Sequence, residues 1–288
     1  VDFDPATKVY TLRAEGEADA GGEEEEEEDA PARSFKISQW AYDKLSELFV
    51  PGLTRSSFWE EAFCCLCRYE ALCGGDGDSS EGAGLQAALP QEVFDLLPAE
   101  TVEAFASPLN VSRAPSSASG AGGPRRYHRY FSVFEEDRVF GSNGNFFERV
   151  TSLSDVLHLG DDVLLECNPP FDVFVMDRLV DRVEALLSEA EAMPGPSRPR
   201  LRILLAFPEW QTSSFRTESP IARVQASRFL QETRVRRPHQ HRYVKGRCWN
   251  WSKLPESRGP PSAPGVSKSR LALLAVPRGA GCGGDEEG

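Results

Sequence analysis

The chain has 288 residues, 40% of them hydrophobic, enough to build one large domain or one domain with a smaller module beside it. No apolar run reaches the length of a membrane span, no signal peptide opens the chain, and the start at Val1 points to a piece of a longer protein. The 32 Lys and Arg against 45 Asp and Glu give a net charge of -13, which taken as a total argues against a nucleic-acid partner.

Residues 1–34 read as a short extended piece, Val9-Tyr10-Thr11-Leu12, followed by an acidic tract. Glu23 to Asp29 is an unbroken acidic run between Gly/Ala-rich flanks, the composition of a solvated, disordered insertion. From Ser38 the pattern turns helical: Trp40, Leu45, Leu48 and Phe49 form one apolar stripe, ended by Pro51-Gly52. Ser56 or Ser57 offers an N-cap for the next helix, which runs through Leu72. That helix carries Cys64, Cys65, Cys67 and Cys73, and Cys64 to Cys67 has C-x-x-C spacing. No second Cys or His pair follows at finger spacing, so the reading is buried small apolar cysteines and no metal centre; the four His are too scattered for one.

Gly74 to Gly84 is a flexible loop, and a short helix follows Pro90, placed as a first-turn proline. Val102 to Ala106 predicts a strand ending at Ser107-Pro108-Leu109-Asn110, and Val111 to Arg126 an inserted loop rich in Ser, Ala, Gly and Pro. Tyr127, Tyr130, Phe131 and Phe134 recur at helix spacing, and Phe140 to Gly144 is a turn. Val163 to Cys167 predicts a buried strand, and Val173 to Ala192 a helix with Phe174, Met176, Leu179, Val180, Val183, Leu186 and Leu187 on one face. Leu201 to Phe207 is another buried strand, Val235 and Tyr243-Val244 suggest further ones, and Leu271 to Val276 is the last. Strands alternating with helices predict an α/β fold with a mostly parallel, doubly wound sheet. Ligands of such sheets bind beyond the carboxyl ends of the strands, where Ser107 to Asn110, Asn168 to Phe171 and Pro208 to Trp210 all fall.

The charge is also uneven. Arg216, Arg223, Arg228, Arg234, Arg236, Arg237, Arg242, Lys245, Arg247, Lys253 and Arg258 face only Glu218, Glu232 and Glu256 over the same stretch. A basic face on an acidic chain is the footprint of a phosphate-binding surface.

The chemistry-bearing motif is Asn168-Pro169-Pro170-Phe171, between the buried strand and the long helix. An exocyclic amino nitrogen is a poor nucleophile because its lone pair is delocalised into the ring. An Asn side-chain carbonyl and a proline backbone carbonyl accept its two N–H bonds and localise that pair. Prolines stiffen the loop and bring no N–H of their own, and an aromatic ring stacks on a flipped base. The plain alternative is a Pro-rich turn after a buried strand. Phe171 has the alternative of capping the following helix, Ser107 and Asn110 that of a satisfied turn, and Gln86 that of capping its loop. Glu135, Glu136 and Asp137 offer a carboxylate for cofactor hydroxyls or form a solvated helix end. Trp249 and Trp251 suit stacking on bases or plain packing.

Several pieces in order resemble the phosphorylated-CTD-interacting factor family of cap-specific adenosine N6-methyltransferases. They are Arg68-Tyr69, Gly84-Leu85-Gln86-Ala87-Ala88-Leu89-Pro90, Phe105-Ala106-Ser107-Pro108-Leu109-Asn110, Phe140-Gly141-Ser142, Asn168 to Phe171, Phe207-Pro208-Glu209-Trp210, Ser227-Arg228-Phe229 and His241-Arg242-Tyr243. They run from about residue 36 to the end. The resemblance implies a Rossmann-like methyltransferase using S-adenosyl-L-methionine, behind an N-terminal helical module, acting in the nucleus on capped mRNA. Its substrate is the 2′-O-methylated adenosine beside the 7-methylguanosine cap.

On that resemblance residues 35–100 are the helical module, 101–277 the methyltransferase domain and 278–288 a disordered tail. Asn168, Pro169, Pro170 and Phe171 are the catalytic residues. Gln86, Phe105, Ala106, Ser107, Pro108, Asn110 and Asn168 hold the cofactor, and Phe171, Glu209, Trp210, Arg228, Arg236 and His241 contact the substrate. Animal members carry a WW domain that docks on the polymerase tail, and the paired-Trp pattern of that module is not found in these residues. The rival readings are a catalytically silent RNA-binding or scaffold member, and a methyltransferase for DNA adenine or a glutamine amide.

Overall fold

The computed structural model describes residues 1–14, 33–73, 88–115, 119–120, 123–124, 127–194, 198–208, 218–244, 262–264 and 268–277. The acidic run from Glu23 to Asp29, the loop before Ala88 and the tail after residue 277 lie outside them.

Strands β1 (Asp2–Asp4), β2 (Val9–Arg13) and β3 (Ser34–Ser38) form a small antiparallel sheet, with Val9 opposite Ser38 and Leu12 opposite Phe35. The expected boundary after residue 34 therefore falls at the start of a strand that pairs with the first segment. Helix α1 (Gln39–Leu48) begins directly at the end of β3, where the Ser38 hydroxyl accepts from the Ala41 N–H. Helix α2 (Phe58–Cys73) opens with a reciprocal cap: Ser57 N–H donates to Glu60 and Glu60 N–H to the Ser57 hydroxyl. Leu12, Phe35, Ile37, Leu45, Leu66 and Tyr69 close one core between this sheet and the two helices. Cys65 is in that core, and burial pushes its thiol well up. Cys64 is exposed, because adjacent helix positions point about 100° apart, so the expectation of buried cysteines holds for only one of the neighbouring pair. Among the described residues no group of His, Cys, Asp and Glu is arranged to hold a metal.

The larger sheet has six strands in the order β10-β13-β9-β8-β4-β7. These are β4 (Thr101–Glu103), β7 (Arg129–Tyr130), β8 (Asp162–Cys167), β9 (Arg200–Pro208), β10 (Leu230–Arg236) and β13 (Ser269–Ala275). Strands β9, β8, β4 and β7 are parallel neighbours, and β13 alone runs against its neighbours β9 and β10. The fold is thus mixed α/β with a mostly parallel sheet, as the alternation of elements predicts. Two short pairs complete the described strands: β5 (Ser119–Gly120) with β6 (Gly123–Pro124), and β11 (Arg242–Val244) with β12 (Ser262–Pro264).

Shorter helices α3 (Gln91–Phe94), α4 (Phe146–Arg149), α5 (Leu153–Leu157) and α7 (Pro220–Ala226) flank the long α6 (Val173–Ala192). Pro90 is the N-cap of α3, one position earlier than expected. Val163, Leu165 and Cys167 of β8 and Leu201, Ile203, Leu205 and Phe207 of β9 alternate toward Met176, Leu179, Val180, Val183, Leu186 and Leu187 of α6. Phe174 does not join that face and is 57% exposed, since two residues carry it about 200° around the helix from Met176.

The helix expected over Tyr127 to Phe134 is absent. Instead β7 runs beside β4, and Glu135–Phe140 forms a 3-10 turn. Tyr130 and Phe131 are both buried because the strand is covered on both faces, Tyr130 with Tyr127 and Val111, and Phe131 with Phe146 in the main core. Two-sided burial imitates the spacing of a helix here.

Asp137 ties the helical module to the sheet. It is fully buried and accepts from Tyr69 Oη at 2.5 Å and from Arg68 at 2.9 Å. It is therefore a structural anchor and does not serve cofactor hydroxyls, while Glu135 is held by Arg138 and Arg149 at the surface. Asp137→Ala would leave a largely buried guanidinium and a phenol unmatched, an expected loss of about 3–5 kcal/mol in urea unfolding; a shift below about 1 kcal/mol would show the anchor to be dispensable.

Candidate functional site

The chain leaves β4, crosses to β7 on one side, and then returns to lay β8 on the other side of β4. The connections from β4 and β8 therefore part in opposite directions, which opens a crevice beyond their carboxyl ends. Two of the expected loops, Ser107 to Asn110 and Asn168 to Phe171, leave the sheet at this point. The Ala104 N–H donates to the Glu166 carbonyl at 2.8 Å and the Ala106 N–H to the Phe131 carbonyl at 2.9 Å, fixing the loop that follows β4.

Within that loop Ser107 and Asn110 lock each other. Asn110 Oδ1 accepts from the Ser107 N–H at 2.7 Å and its hydroxyl at 3.0 Å, and the Asn110 N–H donates to Ser107 Oγ at 3.2 Å. The satisfied turn is thus what the geometry shows for this pair. Ala106, Ser107 and Pro108 are buried in the loop. Phe105 packs at 5.5 Å from both Phe146 and Phe147, as part of the wall of the main core.

At the end of β8, Asn168 is 6% exposed and Pro169 is buried. The Pro170 carbonyl accepts from the Asp172 N–H at 2.7 Å. Asp172 in turn caps α6, its carboxylate accepting from the Phe174 and Val175 N–H groups. No described group donates to the Pro169 carbonyl. One carbonyl of the diproline is consumed by the turn, and the other takes no bond from a described group. Phe171 is half-buried and meets Tyr243 edge-on, with ring centroids 5.8 Å apart.

Under the two loops lie two carboxyl side chains side by side. Glu103 and Glu166 are register partners on β4 and β8, 3% and 2% exposed. Burial pushes the Glu103 carboxyl up to about 8, against the pull of the Ser112 N–H at 2.7 Å and of Lys44. Burial, and then the charge of Glu103, pushes Glu166 well up. Glu166 Oε1 accepts from no described group. Lys44 donates to the Leu109 and Val111 carbonyls and lies over the Trp40 ring at 4.4 Å, so the helical module supplies part of the floor. Val111 and Ser112, expected to open an inserted loop, are buried in this floor.

Strands β11 and β13 form the other wall. Val244 bridges Ala88 through two backbone bonds, and this holds Tyr243 over the sheet. Tyr243 Oη donates to Ser269 Oγ at 2.9 Å, and Ser269 Oγ is 2.9 Å from His241 Nε2. Tyr243 and Ser269 escaped the sequence reading of the site; only the run His241-Arg242-Tyr243 hinted at the first, and nothing at the second.

Arg236 pairs in register with Ser269, which pairs with Pro208 at the carboxyl end of β9, so Arg236 stands exposed at the crevice end of the sheet. Arg228 does not. It precedes β10 at the opposite end, where it pairs with Glu191 near the end of α6 at 2.7 Å, and its expected contact with substrate is corrected on that ground. Arg223 likewise pairs with Asp177 and Asp181 of α6, and Arg234 with Glu232. The described basic face is thus narrower than the sequence suggests. Gln86, Glu209, Trp210, Trp249 and Trp251 lie outside the described residues. A groove of about 340 Å³ between Leu97, Pro98, Leu164, Leu204 and Leu273 contains none of the crevice residues.

Comparison with known proteins places the chain in a family. Residues 44–246 match the family model described as the phosphorylated CTD interacting factor 1 WW domain. The matched span takes in the second half of α1, all of α2, the two crevice loops and five of the six strands of the larger sheet, β13 lying beyond it. A Mus musculus protein named mRNA (2'-O-methyladenosine-N(6)-)-methyltransferase is 31% identical over 222 residues, which is 73% of this chain and 26% of that protein. A Homo sapiens protein of the same name is 30% identical over the same lengths. The chain spans about a quarter of the length of these curated relatives.

The buried carboxyl pair sets a pH dependence. Glu103 has an ordinary value of 4.5 and holds its proton to about 8 in the fold. Between these values the folded chain binds more protons than the unfolded one, so stability declines as pH rises through the window and levels off above it. Thermal unfolding should show a falling midpoint from about pH 5.5 to about pH 8.5 and a clearly shallower fall in Glu103→Gln. Equal slopes in the two proteins would exclude a proton held at Glu103.

Proposed function

The chain belongs to the phosphorylated CTD interacting factor 1 family, and on that footing we propose that it transfers a methyl group to N6 of adenosine in RNA, with S-adenosyl-L-methionine as donor. The observation that carries the reading is the crevice itself: a buried Asn and an open proline carbonyl, at the switch point of a mostly parallel sheet, beneath an aromatic ring. The substrate we assign is the 2′-O-methylated adenosine next to a 7-methylguanosine cap, after the names of the relatives. Capped mRNA is then the partner, and the nucleus the site of action. No described helix is long and apolar enough to cross a membrane.

The described residues of the crevice fit such a donor. They present acceptor oxygens and aromatic rings, and Glu166 contributes a buried oxygen with no donor from the described chain. When bound, the donor supplies an electrophilic methyl carbon on a sulfonium. The Rossmann-like reading assigns it to the β4 loop, Phe105 to Asn110, with Gln86 on the preceding segment. Asn168 and the Pro169 carbonyl accept the two N–H bonds of the adenine amine and turn its lone pair out of the ring plane. Phe171 holds the base by stacking, backed by Tyr243. The fixed φ of two consecutive prolines keeps those acceptors in place before the base arrives, so orientation is paid for in folding. Arg236 and Arg237, exposed and outside any ion pair among the described residues, meet the RNA backbone at the crevice end, with His241 beside them.

Asn168→Ala should keep the thermal midpoint, while methyl transfer to capped RNA drops about 100-fold or more at saturating donor. Transfer at the wild-type rate would remove the mechanism. RNAs differing only in cap and first nucleotide, with DNA and a glutamine peptide alongside, identify the acceptor. The double variant Arg236→Ala, Arg237→Ala should weaken RNA binding and lower the slope of log affinity against log salt by about 1 to 1.5. An unchanged slope would take these two residues out of the interface.

A further inference from the structure

Tyr243, Ser269 and His241 form a hydrogen-bonded chain whose direction is fixed by its far end. His241 Nδ1 lies 3.2 Å from the Arg237 carbonyl. A carbonyl can only accept, so Nδ1 carries a proton, and in the neutral ring Nε2 is bare. The 2.9 Å contact between Nε2 and Ser269 Oγ is therefore a bond donated by the serine hydroxyl. With its proton committed to His241, Ser269 Oγ accepts from Tyr243 Oη at 2.9 Å. Every proton in the chain points away from the crevice, from phenol to hydroxyl to imidazole. The phenol oxygen keeps lone pairs to receive another proton, and its ring is the one against Phe171.

The two ends differ in solvent access as a relay requires. Ser269 is 4% exposed and is held by β-pairing on both sides, opposite Pro208 and Arg236. His241 is half-exposed, so a proton that reaches it can pass to water. Burial, with Glu166 nearby, pushes the Tyr243 phenol up, which keeps it a neutral donor to Ser269 between turnovers.

We propose that Tyr243, Ser269 and His241 carry away the proton that the adenine amine loses on methylation. This rests on the function proposed above. N6 forms its bond to the methyl carbon as the donor's carbon–sulfur bond breaks, that electron pair staying on sulfur. The now cationic N6 gives one of its two protons, turned away from the carbonyl that held it, to Tyr243 Oη. The phenol's own proton moves to Ser269 Oγ, and the serine's to His241 Nε2. One positive charge disappears from the donor and one appears as imidazolium, which then discharges to solvent. Tyr243, whose ring meets Phe171, is the member assigned to touch the substrate, and Ser269 and His241 act through it.

The test pairs a nuclear-magnetic-resonance readout with kinetics. In 15N-histidine-labelled protein without RNA, His241 (assigned by its loss in His241→Gln) should show the Nδ1-protonated tautomer, and Ser269→Ala should keep it, since the Arg237 carbonyl sets it. An Nε2-protonated His241 in the wild type would run the chain backwards and overturn the proposal. In the methylation assay Tyr243→Phe, which keeps the ring against Phe171, should lower kcat about 100-fold with donor binding by calorimetry unchanged. His241→Gln should do the same, because an amide accepts the serine hydrogen bond but does not take up the proton. A His241→Gln enzyme with wild-type kcat overturns the relay while leaving methyl transfer standing. A wild-type protein that methylates no adenosine substrate overturns the proposed function and the relay with it.

Discussion

Strand β4 is three residues long, and it is paired on both sides. Its neighbours were laid down in opposite directions from it, β7 first and β8 second. The crevice exists because of this reversal, and everything chemical hangs from the ends of these strands. So short a strand is held by more than its ladder. The loop beyond it is stitched on by the Ala104 and Ala106 N–H groups, and the Phe131 N–H comes back to the Glu103 carbonyl. The Glu103 side chain then takes the Ser112 N–H, which brings the next segment under the site. A carboxyl that is kept protonated by burial thus organises backbone around it. It does so without placing a bare anion in the core.

The parts of this arrangement that the sequence reveals are those governed by one local rule. Strands β8 and β9 and helix α6 are long apolar patterns with a single period, and they appear where the pattern puts them. The Asn168 to Phe171 corner is legible because two prolines leave few conformations open. The Tyr127 to Phe134 stretch misleads for a physical reason: a strand buried on both faces loses its alternation, and its aromatics fall at intervals of three and four. Strand β3 is missed because it pairs across an acidic tract with β2, a contact of long sequence range. Ser269 is invisible as a site residue, since a serine opening a strand carries no local signal. Its role comes from its two neighbours in space.

Charge shows the same limit. Counted along the chain, the stretch from Arg216 to Arg258 has few acids near it. In space Asp177, Asp181 and Glu191 of α6 reach Arg223 and Arg228 and neutralise them. Within that stretch Arg236 and Arg237 stay exposed and outside any ion pair among the described residues, at the carboxyl end of β10 beside the crevice. Pairing Arg223 and Arg228 with α6 removes two positive charges from the surface of the stretch away from the crevice.

On the proposed function, the crevice separates two tasks that an amine methylation requires. Localising the N6 lone pair needs acceptors that hold still, and the diproline corner provides them at the end of β8. Removing a proton afterwards needs a group whose protons can shift, and a stiff pair of carbonyls is unsuited to that. The shifting groups come from β11 and β13, the wall opposite the corner, and the Phe171–Tyr243 contact joins the two. Strand β13 is the reversed strand of the sheet, so its first residue, Ser269, arrives at the crevice where the parallel strands end. Were β13 parallel to β9, its last residue would stand there and Ser269 would lie at the far end. The reversal of one strand is therefore what lets a hydroxyl at a strand start complete the path between a phenol and an imidazole.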